Sequence, residues 1–269
     1  MSVLRNISFG QYHPGDSVVH RLDPRTKLGL SFAFIVVLFL VKGFLAYLWF
    51  AALVVLIAQI AEIPLKQMLK GLRPLTFIIL LTFILHAFTT RGGVTLWQLG
   101  FLRVDSQGLI QGALLVFRLV LLVVATSILT LTTSPIALTD GLEYIMRPGE
   151  RVGLPAHELA MMMTIALRFI PTLIDEADKI MRAQLARGAD FESGGLIQRA
   201  KSLLPLLVPL FVSAFRRADE LAMAMEARAY RGGKNRTRLK ALRYTSLDAW
   251  AFALSALAFV IAFYLGRWA

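Results

Sequence analysis

Residues 28–61 read LGLSFAFIVVLFLVKGFLAYLWFAALVVLIAQIA and carry one charge, Lys42. Two apolar runs, Leu28–Val41 and Phe44–Ala61, are parted only by Lys42-Gly43, and Glu62 and Pro64 close the second. A bilayer core of ~30 Å takes about 20 apolar residues as helix, so this pattern reads as a membrane-spanning helical hairpin. The first run is short, but Thr26 and Lys27 extend it, with Lys27 reaching back to the interface. Working outward, three further runs follow: Leu72–Phe88, opened by Arg73-Pro74 and bearing His86; Leu109–Leu131, containing Arg118; and Ala249–Leu265, stopped by Gly266-Arg267-Trp268. Composition agrees. The 269 residues are 57% hydrophobic and 17% charged, with mean hydropathy +0.65, against roughly 45–50% and ~25% in soluble domains. The expected class is an all-α integral membrane protein with about five transmembrane helices.

The net charge is +12. Such a balance arises from nucleic-acid binding or from the basic cytoplasmic segments of an inner-membrane protein, and the hydropathy favours the second. The polar tail holds Arg5, Arg21, Arg25 and Lys27; the segment after the second run holds Lys66, Lys70 and Arg73; residues 133–247 hold 17 basic residues. With five spans these all fall on one side, so the N-terminus is expected inside and the C-terminus outside a prokaryotic plasma membrane. The expected organisation is a cytoplasmic tail (1–27), transmembrane helices 1–4 (28–132), a cytoplasmic helical module (133–247) and transmembrane helix 5 (248–269). The tail is polar and holds Pro14 and Pro24, so the first span is expected to act as its own insertion signal. Residues 92–105 form an external loop whose Trp97 and Phe101 suit interface anchors. Arg118, inside the fourth run, has two readings: a functional intramembrane charge, or a snorkelling residue that fixes helix position.

The module between the fourth and fifth spans reads as helix. Ser134 followed by Pro135 is a start signal for a short helix to about Met146, broken by Arg147-Pro148-Gly149. A long helix is expected from about His157 to Arg187, ended by Gly188 and the Gly194-Gly195 turn. A second is expected from about Ile197 to Arg231, ended by Gly232-Gly233. The two repeat each other in parallel at an offset of 41. Ala177-Asp178 matches Ala218-Asp219, and nine residues after each Asp stands an arginine, in Ala186-Arg187-Gly188 and Ala227-Arg228-Ala229. Each long helix begins apolar (159–174 and 203–215) and ends charged. The apolar halves are too short or too charged for spans: 203–215 is 13 residues with two prolines, and 159–174 contains Arg168. They are expected to lie under the membrane, packed on each other, with both polar ends projecting toward the cytoplasm.

One reading of each arginine is a cation in the last turn of a helix, worth ~0.3–1 kcal/mol. The other is a guanidinium fork, cleared of bulk by small neighbours and suited to bidentate capture of a partner's carboxylate. Two equivalent copies suit a partner with two equivalent grooves. Enzymatic readings find little support. There is no cysteine, hence no disulfide, Fe–S cluster, thiolate zinc site or cysteine nucleophile. Gly232-Gly233-Lys234-Asn235 lacks the spacing and hydroxyl of a P-loop, and His13, His20, His86 and His157 are scattered with no HExxH. No cofactor or metal is expected. Arg231–Arg243 reads as a positive-inside segment that contacts anionic lipid rather than nucleic acid. The paired broken helices of a self-contained secondary transporter are absent.

With these residues in view, the chain resembles the transmembrane (T) components of energy-coupling factor transporters, the CbiQ/EcfT family. FGQYHPGDSVVHRLDPRTKL (9–28) is similar to that family's opening signature, of the shared multi-substrate type rather than the dedicated cobalt or nickel type. TTSPIALTDGLE (132–143) and the paired arginine elements also match; the second element carries Ala229 where the family often has glycine. The resemblance implies a non-catalytic subunit between two cytoplasmic ABC-type ATPases and one or more membrane-embedded S components, for uptake of vitamins or similar micronutrients. It implies two coupling helices, with Ala186, Arg187, Gly188, Ala227, Arg228 and Ala229 docking into the ATPases. The substrate itself would be carried by the S component. Met161–Met163 suit a surface that slides against varied partners, or plain core filling.

Overall fold

The computed structural model describes residues 12–99, 102–191, 195–233 and 241–267. Phe9 to Gln11 of the opening signature, Phe101, Gly194, residues 234–240 and Trp268 lie outside them. The described residues are predominantly helical, as the apolar runs predict. The described parts of 10–142 and 241–269 form one compact unit, and those of 143–240 another.

In the first unit α1 (Val18–Arg21) precedes α2 (Pro24–Leu40), α3 (Phe44–Ile60), α4 (Leu65–Lys70), a 3-10 turn (Arg73–Leu75) and α5 (Thr76–Thr89). Strands β1 (Thr95–Leu99) and β2 (Leu102–Asp105) follow, then α6 (Ser106–Thr132), most of α7 (Pro135–Met146) and the C-terminal α11 (Ser246–Arg267). Asp23 caps α2 by accepting the Arg25 N–H at 2.9 Å, with Pro24 at the first helical position. Gly43, at φ +104, supplies the break in the α2–α3 hairpin. The core lies where α2, α3, α6 and α11 meet, around Leu38, Tyr47, Phe50, Val54, Leu121, Leu131 and Ala262. Phe34 meets Phe50 edge-on at 5.1 Å, and Trp49 donates its indole N–H to the Ala258 carbonyl at 3.0 Å. Gly108 and Gly112, a Gly-x-x-x-Gly pair, let α6 close on α5.

The expected external loop is in part a hairpin. β1 and β2 pair antiparallel, with Trp97 opposite Val104 and a bulge between Thr95 and Trp97. Asp105 holds the base of the hairpin, accepting the Gly92 N–H at 2.9 Å.

Four helical stretches are long and apolar enough to cross a membrane: Lys66–Thr89, Ser106–Thr132, Ala156–Ala186 and Ser246–Arg267; Phe44–Ile60 is a shorter apolar helix. The third expected run therefore begins earlier, drawing in α4. α2 and α3 have 17 residues each, at the short end of the ~17–25 range. The fold is that of an all-α membrane protein.

The second unit holds the end of α7, a 3-10 turn (Arg147–Val152), α8 (Ala156–Ala186), α9 (Leu196–Ser202) and α10 (Leu204–Ala227). Ser134 caps α7 as read, its Oγ accepting the Ala137 N–H at 3.3 Å. α8 runs 31 residues straight through Pro171. The second long helix differs from expectation at both ends. It is interrupted at Leu203, just before Pro205, and it stops at Ala227 rather than Arg231, because Ala229 takes a left-handed conformation at φ +52.

Candidate coupling elements

Arg187 and Arg228 sit at the C-caps of α8 and α10, directly after Ala186 and Ala227. The next residues, Gly188 (φ +85) and Ala229 (φ +52), are both left-handed. The two ends are closed by the same bonds. At the first, Gly188 N–H donates to the Leu185 carbonyl and Ala189 N–H to that of Gln184, both at 3.0 Å; at the second, Ala229 N–H donates to Glu226 at 2.8 Å and Tyr230 N–H to Met225 at 3.0 Å. Both are Schellman caps, 41 residues apart. All six predicted residues are exposed, and among the described residues neither guanidinium has a hydrogen-bond or salt-bridge partner. The caps absorb the last carbonyls of each helix, so the arginines are left to reach outward.

In sequence the repeat is direct; in space the two helices run antiparallel. Gln184 reaches the Pro205 carbonyl at 3.4 Å near one end, Glu176 meets Arg217 at 3.4 Å in the middle, and the Tyr230 hydroxyl lies 3.4 Å from His157 near the other. A short connection between long helices favours this hairpin arrangement. The expectation that both polar halves project together is therefore corrected: the charged half of each helix lies beside the apolar half of the other. Glu176 and Arg217 are themselves equivalent positions at the offset of 41, so a local pseudo-twofold axis passes between them. Arg187 and Arg228 each follow that pair by eleven residues, which at 1.5 Å per residue separates them by roughly 33 Å, at opposite ends of the pair.

Beside Arg228 is a cavity of about 650 Å³ whose lining includes Met161, Ile165, Arg168, Phe169, Met225 and Arg231. Met161 serves here as an apolar wall, while Met162 is exposed.

Two features of the first unit were missed or left open in the sequence. The opening signature builds a buried polar knot. Asp23 pairs bidentately with Arg25 at 2.9 and 2.8 Å, and Arg25 lies 4.0 Å from the Tyr244 ring. Asp248, 1% exposed, accepts the N–H groups of Asp23 (2.9 Å) and Thr245 (2.8 Å) together with the Thr245 hydroxyl. Lys27 donates to the carbonyls of Thr132 (2.9 Å) and His20 (3.1 Å), so a cation closes the C-terminus of α6. Gly141 of the second signature packs directly on Pro24 and Leu28 of the first. Thr245-x-x-Asp248 has capping-box spacing, the one signal that pointed here. Arg118 donates to the Val41 carbonyl at the end of α2 and to the Tyr47 hydroxyl, and lies over the Phe39 and Tyr47 rings.

Comparison with known proteins places this arrangement in context. A family model described as cobalt transport protein, CbiQ, matches residues 15–239. A protein of Thermosediminibacter oceani named energy-coupling factor transporter transmembrane protein EcfT is 59% identical over 254 residues, covering 94% of this chain and 96% of its own length. Proteins of the same name from Clostridium kluyveri and Bacillus subtilis are 53% and 48% identical, each covering 91% of this chain and 92% and 93% of their own lengths.

Proposed function

Since the chain belongs to the family of energy-coupling factor transporter transmembrane proteins, EcfT, we propose that it couples two cytoplasmic ABC-type ATPases to one or more membrane-embedded S components. The cargo class is vitamins or similar micronutrients, and hydrolysis belongs to the ATPases. α8 and α10 are the coupling helices, and Arg187 and Arg228, with Ala186, Gly188, Ala227 and Ala229, are the docking elements, one for each ATPase. One observation carries this reading: two Schellman caps presenting exposed arginines, related by a pseudo-twofold axis and roughly 33 Å apart. A pair of like ATPases has the same symmetry.

We place the N-terminus and the module at 133–247 on the cytoplasmic side of a prokaryotic plasma membrane and the C-terminus outside, following the basic residues. α8 is long enough to cross, but its second half carries Asp175, Glu176, Asp178, Lys179 and Arg182. Its antiparallel partner offers only 13 apolar residues, and the paired helices share one environment. A cytoplasmic, membrane-facing position avoids burying those charges in lipid.

The test is Arg187→Glu with Arg228→Glu. The double variant should lose both ATPases on purification and lose ATP-driven uptake, while the membrane unit stays folded. Wild-type uptake would refute the docking assignment, and purification of the wild-type chain from its native membrane without any ABC ATPase would favour a self-contained transporter. The matching family model's description raises a second reading, a component dedicated to cobalt or nickel. Mass spectrometry of the intact complex decides between them by naming the S partner.

A further inference from the structure

The pseudo-twofold equivalence of the two docking ends breaks one residue beyond each left-handed position. The first end has Ala189 there; the second has Tyr230. The Tyr230 hydroxyl lies 3.4 Å from Nε2 of His157, in the first turn of α8, and His157 Nδ1 lies 3.1 Å from Oε1 of Glu143 on α7. A carboxylate only accepts, so Nδ1 carries the proton, and Nε2 is left to pair with the tyrosine hydroxyl, which can donate or accept. Glu143 is 7% exposed. Gly233 lies flat against the imidazole, where an added Cβ would fall 2.6 Å from Cγ. The chain leaving the Arg228 cap is therefore fastened to the start of α8 and to α7. The equivalent positions at the other end are Ala189 and Gln198, and alanine has no hydroxyl to donate. Along the same helix as Glu143, two residues earlier, is Gly141, which packs on the start of α2.

We infer that Tyr230, His157 and Glu143 are positioning residues forming a relay from the Arg228 docking element into α7, so that the two ATPase contacts are mechanically unequal. The inference rests on the docking reading above. Motion of the ATPase that holds Arg228 enters α7 through the relay. Motion of the one that holds Arg187 enters α8 at its far end and reaches α7 along that helix, with no side chain of its own cap taking part.

The chain has no cysteine, so Ile145→Cys, on the exposed side of α7, can be spin-labelled before assembly with the ATPases and S component. The reading is the change in label mobility on adding ATP to the whole complex. Tyr230→Phe, which removes one oxygen, and His157→Ala should both keep two ATPases and their hydrolysis, yet shrink the ATP-dependent change about fivefold, the scale of one lost hydrogen bond. His157→Gln, which keeps a donor and an acceptor, should restore most of it. Tyr230→Phe should cost nothing further in an Arg228→Ala background and show its full effect in an Arg187→Ala background. An unaltered change in both Tyr230→Phe and His157→Ala, equal effects of Tyr230→Phe in the two arginine backgrounds, or a wild-type label blind to ATP would each overturn the relay. Failure of the docking reading shows separately, as retention of both ATPases by Arg187→Glu with Arg228→Glu.

Discussion

Gly188→Ala asks why a glycine follows Arg187. Two physical answers exist: the backbone needs a left-handed residue, or the partner needs to approach without meeting a side chain. Gly188 holds φ +85, and a Cβ built there meets nothing within 4 Å. Within this chain the substitution therefore costs only backbone conformation. That is about 1–2 kcal/mol for an L-residue in the left-handed region. Stiffening of the unfolded chain offsets ~0.4–1 kcal/mol of it. The net is near 0.8 kcal/mol, roughly fourfold in an equilibrium constant. The structure contains its own control, because Ala229 occupies the same cap position at φ +52. Ala229→Gly should return about what Gly188→Ala removes. The assay is titration of the ATPase pair onto the chain in lipid nanodiscs. Gly188→Ala should weaken binding three- to fivefold, Ala229→Gly should tighten it by a similar factor, and the swapped double variant should lie within about twofold of wild type, since sites roughly 33 Å apart contribute additively. A loss of about a hundredfold for Gly188→Ala, unrescued by the swap, would refute the backbone argument and show that the glycine admits the partner.

Two further predictions concern stability of the membrane unit. Asp248→Ala strips the acceptor from the N–H groups of Asp23 and Thr245 and should cost about 3 kcal/mol at 1–3 kcal/mol per buried donor, read as a lower thermal midpoint in detergent; Asp248→Asn, which keeps an acceptor oxygen, should cost about half, and equal losses would mean that charge rather than hydrogen bonding holds the knot. Gly108→Ala would put a Cβ 2.8, 2.9 and 3.1 Å from the carbonyl oxygens of Thr90, His86 and Ala87; backbone cannot yield as a side chain can, so α5 and α6 should part at a cost of ~1–3 kcal/mol, and an unchanged thermal midpoint would contradict the close packing.

The parts of the fold legible in the sequence are those set by local chemistry. Apolar run length gave the helices around Phe50, Leu121 and Ala262, and Ser134-Pro135 gave the start of α7. Gly188 marked the end of α8 because glycine announces a left-handed residue. The end of α10 was misplaced by four residues for the converse reason: Ala229 does the same work without announcing it, and Gly232-Gly233 drew the boundary outward. Pairing geometry was less legible. A direct repeat says nothing about how its copies face each other, so the antiparallel arrangement had to come from the contacts between Glu176 and Arg217 and between His157 and Tyr230. The polar knot was hidden because Asp23 and Asp248 are 225 positions apart, and no local pattern couples them. Arg118 read ambiguously because an intramembrane charge signals function or anchoring; its partners, the Val41 carbonyl and the Tyr47 hydroxyl, are the contacts an anchoring residue makes.

On the proposed docking reading, the orientation of α8 against α10 is what makes the arginine pair usable. Had the copies packed in parallel, Arg187 and Arg228 would stand side by side at the interaxial distance of about 8–10 Å. Two folded partners cannot both reach points that close, and the two cations would lie within about one Debye length of each other. A direct repeat folded as an antiparallel hairpin instead generates a pseudo-twofold axis, here between Glu176 and Arg217, and sends the two caps to opposite ends. Each arginine is then isolated by more than three Debye lengths at physiological salt, and each cap presents the same local geometry, as the proposed docking needs. A self-complementary pair of ATPases requires that arrangement from a single asymmetric chain. The symmetry need hold only at the caps, where the bonds match in partner and nearly in length. One residue further on, at Ala189 and Tyr230, the two ends diverge, and there the proposed docking would let the chain treat two like motors differently.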